Sequence, residues 1–292
     1  MPSLLKVLVA ESETPEEREA RREHTGKSSG ESYAATLDQM MPGVKITRIA
    51  PADEDARTYT PEGLAEYDGV FLTGSPLHVY DDTPAVRRQL AFMRAVFASG
   101  TPSFGSCAGL QVAVAAAGGT VRKMPDRLEA GIARRIVATA EGRDHPLLAG
   151  RTPAWDAPAI HGDEVEELPE GGTLLAGNGS TRVQAAEIRH DGGVFWGVQY
   201  HPELSLAEIA TALRRQKDGL VGAGLARDQA DVEAQADLLD ALDSDPGSRP
   251  LRWRLGVDAA FAEADGRRIE LGNFIRALVL PRHAARSAPA TP

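Results

Sequence analysis

A chain with one cysteine can do thiol chemistry at one place only, and here that place is Cys107. It sits in residues 101–119, TPSFGSCAGLQVAVAAAGG, whose pattern predicts a short strand, a glycine-flanked turn and a helix apolar on every side, ended by Gly118 and Gly119. Gly105 and Gly109 give the backbone the freedom for a strained strand-to-helix turn that pushes the thiol out at the carboxyl edge of a sheet. A helix that begins at the nucleophile adds two things. Its partial positive end favours thiolate over thiol, and its first free N–H groups, Ala108 above all, can receive the oxyanion of a tetrahedral intermediate.

A lone cysteine is more often a small buried hydrophobe than a nucleophile, and glycines flank many turns, so this frame needs a partner elsewhere. Gln199-Tyr200-His201-Pro202-Glu203 supplies one, directly after an apolar run at 194–198. Residues two apart in an extended segment face the same way, so His201 and Glu203 project together while Pro202 points away. The histidine can take the thiol proton and the carboxylate can hold its ring, which is the geometric logic of a triad. A further histidine, His161 in APAIHGDEV, reads either as a second base or as a loop residue; with His201 available, the loop reading is preferred.

Positioning these groups requires a sheet. Short apolar runs at 4–10, 44–49, 67–73, 173–176, 183–188 and 194–200 predict strands, with 120–123 and 132–139 as strands of an outlying sheet. Helices are expected over 33–41, stopped by Pro42-Gly43, and over 84–99 with Pro84 in the first turn. Residues 11–32 mix charges and are loosened by Gly26 and Gly30; they read as a solvated helix and loop in preference to a mobile flap over the pocket. Strands separated by helical segments, with the nucleophile at a strand end, predict an α/β fold: a largely parallel twisted sheet with helices on both faces. The strand at 67–73 runs straight into Gly74-Ser75-Pro76, and a glycine at a strand's carboxyl end lets a backbone N–H approach a substrate oxygen closely. From residue 204 onward the pattern turns helical, at 206–220, 228–242 and 269–280, with a break at 245–250. The expected organisation is a catalytic domain over 1–204, a helical extension over 205–282 packed on it through Trp253, Leu255 and Phe274, and a disordered tail over 283–292.

Four blocks, taken in order, resemble the class I glutamine amidotransferases, most closely the amidotransferase half of GMP synthase. They are Leu72-Thr73-Gly74-Ser75-Pro76 with Val79-Tyr80-Asp81 after it, the elbow from Gly105 to Gln111, His161-Gly162-Asp163-Glu164-Val165, and the run from Gly197 to Glu203. The resemblance implies a flavodoxin-like catalytic domain and the triad Cys107, His201 and Glu203. It also implies an oxyanion hole in which Gly74, with Ser75 where the family usually has a second glycine, complements Ala108. The backbone around His161, Gly162 and Asp163 would line the glutamine pocket and bind the amino-acid end, with Gln111 as a polar contact. The substrate so implied is L-glutamine or another γ-glutamyl amide, opened through a glutamyl thioester on Cys107; no cofactor and no metal are expected.

The resemblance ends near Glu203, and neither a Ser-Gly-Gly-x-Asp-Ser pyrophosphate loop nor a glycine-rich ATP loop is found in the sequence. Either a synthetase partner in trans takes the ammonia, or the protein acts alone as a glutaminase or γ-glutamyl hydrolase. A non-catalytic scaffold of the same fold is a further reading. A cysteine-based α/β-hydrolase fits less well, since it puts its acid before the histidine whereas Glu203 follows His201.

Composition bounds the partners. Forty-two Asp plus Glu against 32 Lys plus Arg leave a net charge of −10, which argues against a nucleic-acid-binding surface. One cysteine excludes an intramolecular disulfide and a multi-cysteine metal site, and fits a reducing compartment. The apolar run at 4–10 is too short, and too soon followed by acids, for a signal peptide or a membrane span. A cytoplasmic protein without a membrane partner is expected, and a homo-oligomer is left open.

Overall fold

The computed structural model describes residues 4–125 and 128–288. Among these, eleven strands occur in chain order: β1 (Lys6–Ala10), β2 (Lys45–Ile49), β3 (Gly69–Leu72), β4 (Ser103–Ser106), β5 (Thr120–Lys123), β6 (Glu129–Ala138), β7 (Ala154–His161), β8 (Asp163–Glu167), β9 (Gly172–Gly177), β10 (Ala185–His190) and β11 (Gly193–Val198). Nine form one sheet in the order β2-β1-β3-β4-β11-β10-β9-β6-β7, while β5 and β8 pair separately. From β2 to β11 every neighbouring pair is parallel; from β11 to β7 every pair is antiparallel. The helices of the first half are α1 (Pro15–Thr25), α2 (Ser29–Met40), α3 (Pro61–Leu64), α4 (Pro84–Ala98) and α5 (Ala108–Ala116).

The parallel strands are short apolar runs because both of their faces are covered. Along β1, Val7 and Val9 belong to one core cluster with Phe71, Phe104 and Trp196, whereas Leu8 and Ala10 belong to another with Val70, Leu72 and Phe195. Side chains two apart share a face, so this alternation is the sheet separating two cores. One core is closed by Phe92, Met93 and Val96 of α4 and by Leu110 and Val114 of α5. The opposite core is closed by Tyr33 and Leu37 of α2 together with Leu271, Phe274 and Val279 from the end of the chain. The intervening helices, Leu206–Arg215 and Gln229–Ser244 among them, make a third cluster around Leu206, Ile209, Leu213, Leu239 and Phe261.

The structure departs from the sequence expectations in five places. Residues 132–138 of the expected strand at 132–139 lie in β6 of the main sheet, not in an outlying one; only β5 stands apart, with β8. The stretch APAIHGDEV forms the end of β7 and the start of β8, turning at Gly162, so His161 ends a strand. Gly26 to Gly30 does not loosen the chain: α2 begins at Ser29, capped by Ser28 and Glu31, and its first N–H groups are taken by carboxylates. Ser29 N donates to Glu13 and Gly30 N to Glu11, and both acids are buried. Residues of the expected disordered tail are helical in Leu280–Ser287, because polar anchors replace an apolar face: His283 Nδ1 lies 3.0 Å from Asp68, and Arg286 Nη1 lies 3.1 Å from it. The remainder of that tail, 289–292, lies outside the described residues. Lastly, Leu255 and Phe274 are buried as expected, but Trp253 is 83 % exposed, on the outer face of the short helix Arg249–Leu255.

Candidate active site

Cys107 joins β4 to α5 with φ 53° and ψ −111°, a left-handed backbone that a non-glycine residue holds at a cost of about 1–3 kcal/mol. Its N–H donates to the Val198 carbonyl (2.8 Å), tying the turn to β11, and its own carbonyl accepts the Gln111 N–H that starts the helix (3.1 Å). The flanking glycines are required by close approach. A Cβ at Gly105 would stand 2.6 Å from the Gly109 carbonyl carbon, and one at Gly109 would stand 2.7 Å from the Leu72 carbonyl oxygen. Ala108 is the first residue of α5, where a helix has no internal acceptor for the N–H. The thiol-bearing residue keeps 7 % of its surface.

Three neighbouring parallel strands converge there. Leu72 of β3 is in register with Gly105 of β4, and Gly105 with Gly197 of β11, so the residues just past their carboxyl ends, Gly74, Cys107 and His201, are brought to one edge of the sheet. A Cβ at Gly74 would come within 2.8 Å of His201 Cε1 and 3.7 Å of Cys107 Cβ, which makes Gly74 the floor between the two. His201 Nδ1 is 2.8 Å from Glu203 Oε1, and both side chains are buried. The backbone holds the pair from two sides: His201 N donates to the Pro158 carbonyl (2.8 Å), and Thr36 Oγ1 donates to the Glu203 carbonyl (2.9 Å). Burial alone would lower the imidazole's pKa, but the Glu203 carboxylate and the Cys107 thiol oppose it and push it up to about 10. The Glu203 Oε2 atom is buried without a partner among the described residues.

The other sequence candidates surround this edge in different ways. Ser75 Oγ accepts the Leu77 N–H (2.9 Å) and shapes the turn after Gly74. Gln111 is buried, and its amide nitrogen donates to the Asp163 carbonyl (3.3 Å) and to Gln199 Oε1 (3.2 Å). The Asp163 carboxylate is taken by the Tyr80 hydroxyl (3.0 Å) and His78 Nδ1 (2.6 Å), whose rings stack at 5.2 Å. Gly162 turns β7 into β8 and accepts the Met124 N–H (2.8 Å). His161 has both nitrogens occupied, Nε2 by Glu129 (3.0 Å) and Nδ1 by the Asp163 carbonyl (2.9 Å). Sequence reasoning missed His78, Glu129 and Gln199 as parts of this network. His78 and Gln199 lie inside or beside the motif blocks, but Glu129 carries no local signal. A cavity of about 600 Å³ bordered by Arg122, Arg135, Glu164 and residues 177–182 is elsewhere and does not include Cys107. Among the described residues no helix is long and apolar enough to cross a membrane.

An open α/β sheet with a cysteine turn and a histidine–carboxylate pair at its carboxyl edge has the parts that nucleophilic thiol chemistry requires. The chain belongs to the class I glutamine amidotransferase family, whose model matches residues 27–217. It is 34% identical over 284 residues to a γ-glutamyl-L-1-hydroxyisopropylamide hydrolase of a Pseudomonas species, a match covering 95% of this chain and 94% of that protein. It is 33% identical over 199 residues to the glutamine-hydrolysing GMP synthase of Leifsonia xyli, covering 67% of this chain but 38% of the synthase. In fold it is similar to a glutamine amidotransferase of Thermotoga maritima, with a TM-score of 0.63 at 15% identity over 95% of this chain and 99% of that one. A glutamine amidotransferase of Methylobacillus flagellatus has a TM-score of 0.59 at 18% identity over 94% and 96% of the two chains.

Proposed function

We propose that this protein hydrolyses γ-glutamyl amides through a glutamyl thioester on Cys107, with water as the final acceptor. The observation that carries the chemistry is the hydrogen-bonded His201–Glu203 pair at the strand end next to the cysteine elbow. What favours water over a synthetase partner is the hydrolase-named relative matched over nearly its whole length, C-terminal helices included.

In this reading His201 takes the thiol proton and the Cys107 sulfur attacks the side-chain carbonyl carbon of the γ-glutamyl group. The oxyanion forms between the N–H groups at Gly74 and Ala108; one such donor is commonly worth about 3 kcal/mol of barrier. The imidazolium gives its proton to the nitrogen as the C–N bond breaks and the amine leaves. The same imidazole then deprotonates a water, which adds to the thioester carbonyl; the C–S bond breaks, the thiol regains its proton and glutamate departs. Glu203 holds the ring and stabilises its charged form. Ser75, Gln111, Gly162 and Asp163 border the amino-acid end of the substrate, Gly162 through its backbone.

The test is glutamate release from L-glutamine and from a γ-glutamyl-N-alkylamide by the purified protein. A kcat/KM about tenfold or more higher for the alkylamide is expected, the size of preference that a few apolar contacts supply. Cys107→Ala removes both activities while the circular dichroism spectrum and Tm stay as in wild type. The second reading, transfer of ammonia to a synthetase partner, is favoured by the GMP synthase similarity, and it prevails if glutamine is the better substrate and cell extract stimulates its hydrolysis.

A further inference from the structure

The segment that carries His201 lies beyond the end of β11 at Val198, where the backbone is held by two bonds, Gln199 N to the Gln184 carbonyl (2.9 Å) and His201 N to the Pro158 carbonyl (2.8 Å). Tyr200, next in chain to the base, is fully buried, and its ring lies on the sheet face whose core holds Phe71, Trp196 and Leu271. On that face its hydroxyl donates to Glu270 Oε1 at 2.7 Å. Glu270 belongs to the helix Ile269–Phe274 near the end of the chain, outside the residues the family model matches. The carboxylate is itself gripped by Arg151, whose Nε and Nη2 reach its two oxygens at 2.6 Å each, and Arg151 Nη1 donates on to the Gly266 carbonyl (2.9 Å). Two further bonds, from Asn273 Nδ2 to the carbonyls of Leu147 and Ala149, lock the helix to the loop that bears Arg151. Burial and the adjacent carboxylate hold the Tyr200 phenol well above its usual pKa, so it stays a donor.

Both charges of this pair are out of water, with side-chain exposures of 4% and 0%. Desolvating two charges consumes most of what their attraction returns, and apolar residues of the same volume would hold the helix as well. What the pair supplies that apolar contacts do not is direction: a carboxylate fixed by a bidentate guanidinium presents one oxygen at one place. We propose that Glu270 is a positioning residue for His201, acting through the Tyr200 hydroxyl to set where the 199–203 segment leaves the sheet. This rests on the reading of Cys107 and His201 as nucleophile and base. It gives the helix Ile269–Phe274, which lies outside the residues the family model matches, a role at the site.

Tyr200→Phe is the informative change, because it deletes one hydroxyl and leaves Arg151 and Glu270 paired. The chain has one cysteine, so alkylation by iodoacetamide reports on Cys107 alone, and its rate against pH reads the coupling of thiol to imidazole without any glutamyl substrate. In Tyr200→Phe the alkylation rate below neutrality is expected to fall about tenfold, and the profile to move toward that of an uncoupled thiol. The kcat on a γ-glutamyl-N-alkylamide is expected to fall by a similar factor at unchanged KM, the change one lost hydrogen bond of ordinary strength produces. Glu270→Gln keeps an acceptor for the phenol but loses one of the two oxygens that Arg151 fixes, so its profile is expected to lie between those of wild type and Tyr200→Phe. A Tyr200→Phe protein whose profile and kcat both stay within about twofold of wild type overturns the proposal. A shifted profile in a protein that cleaves no γ-glutamyl amide sinks the substrate reading and leaves the positioning role standing.

Discussion

Two corners of this molecule hold a buried histidine against a buried glutamate, and they differ in what remains unsatisfied. At the end of β7, His161 spends Nε2 on Glu129 and Nδ1 on the Asp163 carbonyl, while Glu129 also accepts from Gln184 (2.5 Å) and Asn178 (2.6 Å). Past the end of β11, His201 spends only Nδ1 on Glu203, and its other side faces Cys107 across the floor made by Gly74. A saturated imidazole has no lone pair or proton to offer a substrate and acts as a strut. One with a free nitrogen beside a thiol can move a proton. Residue type and burial are the same in both corners, so the capacity for chemistry lies in the open valence.

The sharpest way to break this contrast is to exchange each histidine for asparagine. His201→Asn is expected to lower kcat by roughly 10⁶-fold, as loss of a triad base does elsewhere. His161→Asn is expected to change kcat at least about a hundredfold less. It should cost stability of about 1–3 kcal/mol in urea unfolding, because it removes buried hydrogen bonds to the Glu129 carboxylate and the Asp163 carbonyl. The contrast fails if folded His161→Asn is as inactive as His201→Asn.

The acids make a second, smaller test. Glu203→Gln keeps the volume and leaves the base its nitrogen, so a loss of roughly 10⁴-fold in kcat is expected, short of that for removing the base. Glu129→Gln should be read out in stability, with turnover of the folded fraction close to wild type.

The smallest expected effect separates the corners by pH. His201 has its pKa raised from 6.5 to about 10, so the pair's contribution is fully present below about 6.5 and is lost as pH rises through about 10. Glu129 shifts the other way: burial would raise it, but His161 and then the Asn178 and Gln184 amides bring it below the ordinary carboxylate value of 4.5. Its contribution is present above that value and lost as pH falls through the depressed one. Urea unfolding across this range should show Glu203→Gln most destabilised in weak acid and nearly neutral near pH 10, and Glu129→Gln most destabilised at neutrality and least in acid. Matching profiles for the two variants would show that the corners are not distinct.

Much of the site was legible because its signals are local. Gly105 and Gly109 around Cys107 announce a turn only glycine can close, and His201 and Glu203 do meet as their spacing suggested, though across a turn at Pro202–Glu203 and not along an extended segment. The apolar strands and the amphipathic α4 were legible for the same reason, since period and capping are written in neighbouring residues. The misread stretches are held by partners far away in the chain. The helix at Leu280–Ser287 looks too polar to pack until Asp68 meets His283 and Arg286, 215 and 218 positions apart. Likewise the serine-rich start of α2 looks loose until Glu11 and Glu13 come to its first turn.

The amino-acid sequence by itself therefore determined which side chains could react, which turn could expose the thiol and which strands could carry them. All of these depend on residues within a few positions of one another, where backbone geometry leaves little choice. Only the tertiary structure decided which of two histidines keeps a nitrogen free, and that a glutamate near the end of the chain reaches the segment bearing the base. Hydrogen-bond saturation depends on every group that converges on an atom, and chain order does not say which groups those will be.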